Sequence, residues 1–159
     1  MSSPLNLFYS YCHADNIQRN ELDKHLTMLI RNEVILPWHD GKITAGSNWE
    51  ENIIKNLNDA DIVVFLITTN WLGSDACIKE WDLAKSFSKE QPNKLLIPVI
   101  ATDCAWVDFD DMKTMLVLPY DGNPVSMWSN SDTAWLDVYK GIKNAIEEQK
   151  KNLNYSQPI

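Results

Sequence analysis

Apolar residues along the chain fall into two kinds of pattern. Ile62 to Ile67 and Leu95 to Ile100 are six-residue apolar runs. Each has strand length, and the lack of polar alternation predicts a strand covered on both faces. Leu5 to Ser10 and Val34 to Trp38 predict two further strands, the latter held near a sheet edge by Pro37. Between the strands, the spacing changes to that of amphipathic helices. Leu22, Leu26, Leu29 and Ile30 mark one stripe, Trp49, Ile53, Ile54 and Leu57 a second, and Cys77, Trp81 and Ala84 a third. A last stripe, Trp135, Val138, Tyr139, Ile142, Ala145 and Ile146, predicts a helix from about Asp132.

Start signals refine these elements. Asp15 with Gln18, and Ser47 with Glu50, have the spacing of capping boxes, the first opening a helix that should run to Arg31. Ser74 is the predicted N-cap of the third helix, with Asp75 at the positive end of its dipole. Residues 39–48 form a polar loop that holds Gly41 and Gly46 and is expected to be mobile. Residues 101–130 are the least patterned, with a short helical turn predicted near Phe109 to Met112 and a short fifth strand near Met115 to Leu118.

Strand and helix alternate four or five times, which calls for a parallel sheet with helices on both faces. The expected fold is a single-domain, flavodoxin-like α/β domain of about five strands in the order 2-1-3-4-5, spanning residues 1–150, with a polar tail at 151–159. Its switch point lies between strands one and three, where the loops Ser10 to Asp15 and Thr68 to Asp75 meet. Glu80 falls in the second turn of the helix after strand three and leans back over the carboxyl edge of the sheet. Open α/β sheets carry their sites at that edge, so Glu80 is the candidate for the chemistry.

Charge and composition narrow the function classes. The balance of 14 basic and 22 acidic residues gives net −8, with Arg19 and Arg31 the only arginines. A nucleic-acid surface needs clustered cations, and none is present. Cys12, Cys77 and Cys104 are odd in number and widely spaced, which argues against a disulfide framework or zinc site and for a reducing cytosol. No apolar run approaches the roughly 18 residues of a membrane span. A soluble cytoplasmic protein is expected, with no metal and no membrane or nucleic-acid partner.

Absent motifs exclude more. There is no Gly-x-Gly-x-x-Gly for a dinucleotide fold. Gly41 and Gly46 have P-loop spacing, but Ser47 and Asn48 stand where the lysine and hydroxyl residue belong. A phosphorelay receiver would need acids where the chain has Ser10 to Cys12 and Thr68 to Thr69. Cys77 lies on an apolar helix face and reads as packing. Cys12 lacks a legible Cys-His-Asp arrangement, although His13 is adjacent, and His25 and His39 lack metal-ligand spacing.

Several segments in order resemble the Toll/interleukin-1 receptor (TIR) domain of the bacterial type. They are Leu7 to Asp15; Trp38-His39-Asp40-Gly41-Lys42-Ile43 through Gly46 and Trp49; Ala60-Asp61; Ser74 to Glu80; Leu118 to Val125; and Trp135 to Val138. The resemblance spans roughly residues 5–147. It implies that Glu80 is the glutamate with which enzymatic TIR domains cleave NAD+ at the nicotinamide–ribose bond. It also implies a substrate pocket formed by Phe8, Ser10, Tyr11 and Cys12 with the loop residues Asp40, Lys42 and Gly46, the segment known in this family as the BB loop. Some bacterial members carry a tryptophan four residues before the glutamate, where this chain has Ala76, so ring stacking is expected from Trp71 or Tyr11.

The resemblance implies an NAD+ glycohydrolase or ADP-ribosyl cyclase of bacterial antiphage immunity. No cofactor is needed, NAD+ being the substrate. It further implies TIR–TIR self-association and a separate sensor or effector protein, or a longer protein of which this chain is part. Two other readings follow from the same family: a non-catalytic adaptor acting through TIR–TIR assembly, and a pathogen mimic of host TIR signalling. An adaptor has no need of Glu80.

Overall fold

The computed structural model describes residues 3–156. Four strands form one parallel sheet: β1 (Leu5–Ser10), β2 (Ile35–Trp38), β3 (Ile62–Ile67) and β4 (Leu95–Ile100), in the order β2-β1-β3-β4. All six residues of β3 are buried, as its unbroken apolar run predicts. Pro37 sits in β2, which is an edge strand, where a missing N–H disrupts no inner ladder.

The helices are α1 (Asn16–His25), α2 (Thr27–Arg31), α3 (Trp49–Asp59), α4 (Thr69–Leu72), α5 (Asp75–Glu90) and α6 (Ser131–Ser156). They cover both faces, and the period-2 alternation of the strands decides what each face receives. Ile62, Val64 and Leu66 join Leu7 and Tyr9 in a core shared with Leu22 of α1 and Val138 and Ile142 of α6. Val63, Phe65 and Ile67 join Phe8 in the opposite core, with Ile53 and Leu57 of α3 and Trp81 and Ala84 of α5.

The expected fifth strand is reduced to one parallel bridge between Val99 and Leu118. Leu118 N–H donates to Pro98 O at 2.9 Å and Leu118 O accepts from Ile100 N–H at 2.7 Å. Pro119 then follows and has no N–H to extend the ladder, while Leu116 is 90 % exposed. The helical turn expected at Phe109 to Met112 is replaced by short 3-10 turns at Trp106–Asp108 and Met112–Thr114.

Two of the three predicted starts differ in detail. Ser74 caps α5 as expected, its hydroxyl accepting from Cys77 N–H at 3.2 Å. Asn48, not Ser47, caps α3, accepting from Glu51 N–H at 2.9 Å. Asp15 makes no capping bond, and the single helix expected to Arg31 is interrupted at Leu26, whose φ and ψ of −89° and 7° lie outside the helical range. The last helix runs beyond Lys151 to Ser156; of the expected tail, residues 157–159 lie outside the described residues.

Candidate functional site at the carboxyl edge of the sheet

The loops after β1 and β3 meet at the switch point, and Asp15 joins them. Its carboxylate accepts from Thr68 Oγ1 at 2.5 Å and from Asn70 Nδ2 at 3.0 Å. Asp15 is 4 % exposed. A buried carboxylate must be satisfied by donors, and these two take the oxygens a capping bond would have used.

Beside this junction, Ser10 ends β1 fully buried and its hydroxyl donates to Glu80 Oε1 at 2.6 Å. Trp71 Nε1–H donates to the same Ser10 oxygen at 3.2 Å. An indole N–H can only donate, so the Ser10 hydroxyl accepts from Trp71 and commits its one proton to Glu80. One oxygen of Glu80 is thereby held from behind, and the other is left for the cleft.

The cleft encloses about 180 Å³ and brings Tyr11, Cys12, His13, Asp40 and Glu80 together. Asp40 accepts from the Tyr11 hydroxyl at 3.2 Å and is hydrogen-bonded to His13 Nε2. Burial and the Asp40 charge push the Tyr11 hydroxyl up to about 12, so it stays a neutral donor. The Cys77 thiol, raised to about 12 mainly by burial, is a poor nucleophile. Among the described residues no cluster of three His, Cys, Asp or Glu side chains is placed to hold a metal ion.

Glu80 is pushed up to about 7. Burial is the main cause and the Asp40 charge adds to it, while the Ser10 hydrogen bond and His13 pull the other way. The start of α5 does little to offset this, because the dipole's influence fades within the first turn and Glu80 lies in the second. Glu80 therefore exchanges its proton near neutrality.

Other predicted site residues lie elsewhere. Trp71 is 0 % exposed and cannot stack on a ligand; it acts through Ser10. Phe8 is buried against Trp38, with ring centroids 5.2 Å apart. Phe8 and Lys42 line a different hollow, beside β2, where Lys42 Nζ donates to Pro37 O at 2.7 Å. Gly46 has φ +88° in an exposed stretch of the 39–48 loop with nothing packed on it, and glycine suits that left-handed backbone. Gly41 has a packing reason instead: a Cβ there would meet the His39 ring at 2.6 Å.

Sequence reasoning passed over Trp49 and Ser74 as cleft residues. Trp49 is the first residue of α3 yet 49 % exposed, and lines the cleft with Ser74, Ala76 and Glu80. The signal available was the end of a helical stripe falling beside the glycine-bearing loop.

A four-stranded parallel sheet in this order, with a carboxylate cleft at its switch point, defines an α/β domain of flavodoxin-like topology. The family described as "TIR domain" matches residues 7–144, and the chain belongs to that family. A curated relative, the uncharacterized protein y4lF of Sinorhizobium fredii, is 33 % identical over 141 residues, which is 88 % of this chain. The chain spans 43 % of that relative's length. Among solved structures, the fold is similar to the TIR domains of the activated Roq1 resistosome that directly recognizes the pathogen effector XopQ. That likeness has a TM-score of 0.51 at 15 % identity and covers 96 % of this chain and 85 % of that one. No helix among the described residues is long and apolar enough to cross a membrane.

Proposed function

We propose that this TIR domain cleaves the nicotinamide–ribose bond of NAD+, with Glu80 as the catalytic residue. The observation that carries the reading is the Trp71–Ser10–Glu80 chain: a partly buried carboxylate, held on one oxygen by a committed donor and open to a cleft on the other. A side chain kept only for solubility has no use for such support.

The chemistry suits one carboxylate. Ordinary glycosides need an acid to protonate the leaving oxygen. The nicotinamide ring of NAD+ is already cationic, so the C1′–N bond breaks with its electron pair passing to the ring nitrogen and no proton is required. What remains is to hold the ribose hydroxyls and to stabilise the oxocarbenium-like centre, which an ionised Glu80 does through its free oxygen. Capture of C1′ by water gives ADP-ribose and releases a proton; capture by a nucleophile within the same molecule gives a cyclic ADP-ribose. The biological setting of this reading is bacterial antiphage immunity in the cytoplasm, through an ADP-ribose-type signal or NAD+ depletion, with a separate sensor or effector.

Self-association belongs to the same reading. The cleft is shallow and no second domain covers it among the described residues. The similar Roq1 TIR domains belong to an activated resistosome, which supports assembly as the activating step. The test is to incubate purified protein with NAD+ across a range of protein concentrations and resolve nicotinamide, ADP-ribose and cyclic products by chromatography. Nicotinamide release by the wild type and its loss in Glu80→Gln are expected. No release at any concentration would overturn the enzymatic reading and leave the adaptor that acts by assembly alone.

A further inference from the structure

Water that captures C1′ has to lose a proton, and the groups of the cleft differ in whether they can take it. Asp40 has both oxygens engaged, Oδ1 by the Tyr11 hydroxyl at 3.2 Å and Oδ2 by His13 Nε2. Burial and the Asp40 charge keep the Tyr11 hydroxyl protonated. The Ser74 oxygen already accepts from Cys77 N–H at the start of α5. Glu80 is held by Ser10 on one oxygen and, in the reaction above, faces the sugar with the other.

His13 differs from all of these. A carboxylate only accepts, so in the neutral imidazole Nε2 carries the proton toward Asp40 and Nδ1 keeps a lone pair. Both partners are fixed locally. His13 opens a 3-10 turn that Asp15 closes by donating its N–H to Cys12 O at 2.8 Å, and Asp15 is itself anchored by Thr68 and Asn70. Asp40 opens a second turn, in which Gly41 N–H donates to His39 Nδ1 at 3.1 Å. The pair also stands where water arrives. His13 and Asp40 line the hollow that contains Glu80 and also an outer one of about 340 Å³, which Asn16 and Gly41 line and Glu80 does not. The His13 side chain is 69 % exposed.

We propose that His13, oriented by Asp40, is the general base that activates the water attacking C1′, making the chain a hydrolase and not a cyclase. This assignment rests on the NAD+-cleaving reading above. As the C1′–N bond breaks, its electron pair passes to the nicotinamide nitrogen. A lone pair of the water oxygen forms the new bond to C1′, and the water proton passes to His13 Nδ1. Asp40 stabilises the resulting imidazolium, which returns the proton to solvent through the outer hollow. A base oriented by a carboxylate in this way is the logic of a catalytic triad, applied here to water. Water entering on the side of the base favours ADP-ribose over a cyclic product.

The experiment incubates wild type, His13→Gln and Asp40→Asn with NAD+ and isotopically labelled nicotinamide, folding being checked by circular dichroism. ADP-ribose formed is compared with label returned to NAD+. Nicotinamide attacks C1′ through its ring-nitrogen lone pair and has no proton to lose, so it needs no base. The two products share the cleavage step, and any change at Glu80 cancels in their ratio. His13→Gln should lower the ratio of ADP-ribose to labelled NAD+ at least about 10-fold. General bases typically contribute about 10²-fold, and an oxocarbenium-like centre needs less help. Asp40→Asn keeps the ring but no longer fixes its tautomer; it should shift the ratio the same way and carries the test if His13→Gln fails to fold. A ratio that stays constant while both products fall together would mean that these groups only bind substrate, and overturns the assignment. So does a wild type that yields a cyclic product alone. A wild type that releases no nicotinamide overturns the reaction itself.

Discussion

Tyr9 and Ser10 are neighbours on β1, face opposite sides of the sheet, and each donates a hydrogen bond to a carboxylate. The Tyr9 hydroxyl donates to Asp23 Oδ1 at 2.8 Å, and the Ser10 hydroxyl donates to Glu80 Oε1 at 2.6 Å. The surroundings make the difference. On the α1 side Arg19 lies 6.0 Å from the Tyr9 ring centre and supplies a compensating cation, and the bond joins a strand to its covering helix. On the α5 side the nearby carboxylate of Asp40 adds charge of the same sign, and Glu80 opens on a cleft. A half-buried acid with a partner is thus ordinary architecture on one face. On the other, position at the sheet edge and a proton poised near neutrality make it the candidate reactive group.

The sharpest test of this contrast is to neutralise both acids. Glu80→Gln should lower nicotinamide release by about 100-fold or more, since charge stabilisation in the transition state is lost. Asp23→Asn should leave turnover within about twofold if folding is kept. Comparable losses in both variants would mean that the two faces are not functionally distinct.

Stability should move the other way. Burial raises Glu80 in the folded state from an ordinary 4.5 to about 7. The folded protein therefore binds the proton more tightly than the unfolded chain. That contribution is complete below about pH 4.5 and is lost as pH rises through 7. Glu80→Gln should accordingly be more stable than wild type at pH 8, on the order of 2–3 kcal/mol, with the gap closing toward pH 4. Urea unfolding at the two pH values measures it, and an equal or lower midpoint for the variant at pH 8 counts against a strained carboxylate.

A smaller effect should follow from Ser10→Ala, which leaves Glu80 in place but removes its support. Activity should fall about 10-fold, in line with one charge-assisted hydrogen bond. If the ionised form acts, wild-type activity rises with pH through about 7. Because the Ser10 bond lowers the Glu80 value, its loss should move that midpoint upward. An unshifted pH profile would show that Ser10 only packs. The smallest effect is in assembly: specific activity should rise severalfold with protein concentration, since net −8 makes subunits repel at low salt and assembly is concentration-driven. Constant activity down to the monomer would place the whole site in one chain.

β3 and β4 were legible because burial on both faces leaves an apolar run, and the place of Glu80 because a helix after a central strand carries its second turn over the sheet edge. Contacts between distant residues were not. Asp15 has capping spacing with Gln18, but Thr68 and Asn70, more than 50 positions away, claim its oxygens. Trp71 follows the central strand just as a ligand-facing ring would, yet its indole turns inward to Ser10. Phe8 shares its face of β1 with Ser10, two residues further on, but lies deeper along the strand and packs on Trp38. Trp49 reads as the start of a core stripe, yet it is half exposed and lines the cleft. Periodicity reports which face a residue takes; it does not report how far along the element a cleft extends.

The hydrogen bond from Ser10 to Glu80 joins positions 70 residues apart, and the Asp15 bridge spans 53. Neither can form until β1 has been brought beside β3, and the Ser10–Glu80 bond must also wait for α5. Closing so long a loop costs chain entropy before any contact repays it, so such contacts form late in folding. A nascent chain shorter than about half the domain has β1 and its loop but no acid to meet them. The supported Glu80 site is therefore completed late, and on the proposed reaction a half-made domain emerging into a cell could not consume its NAD+.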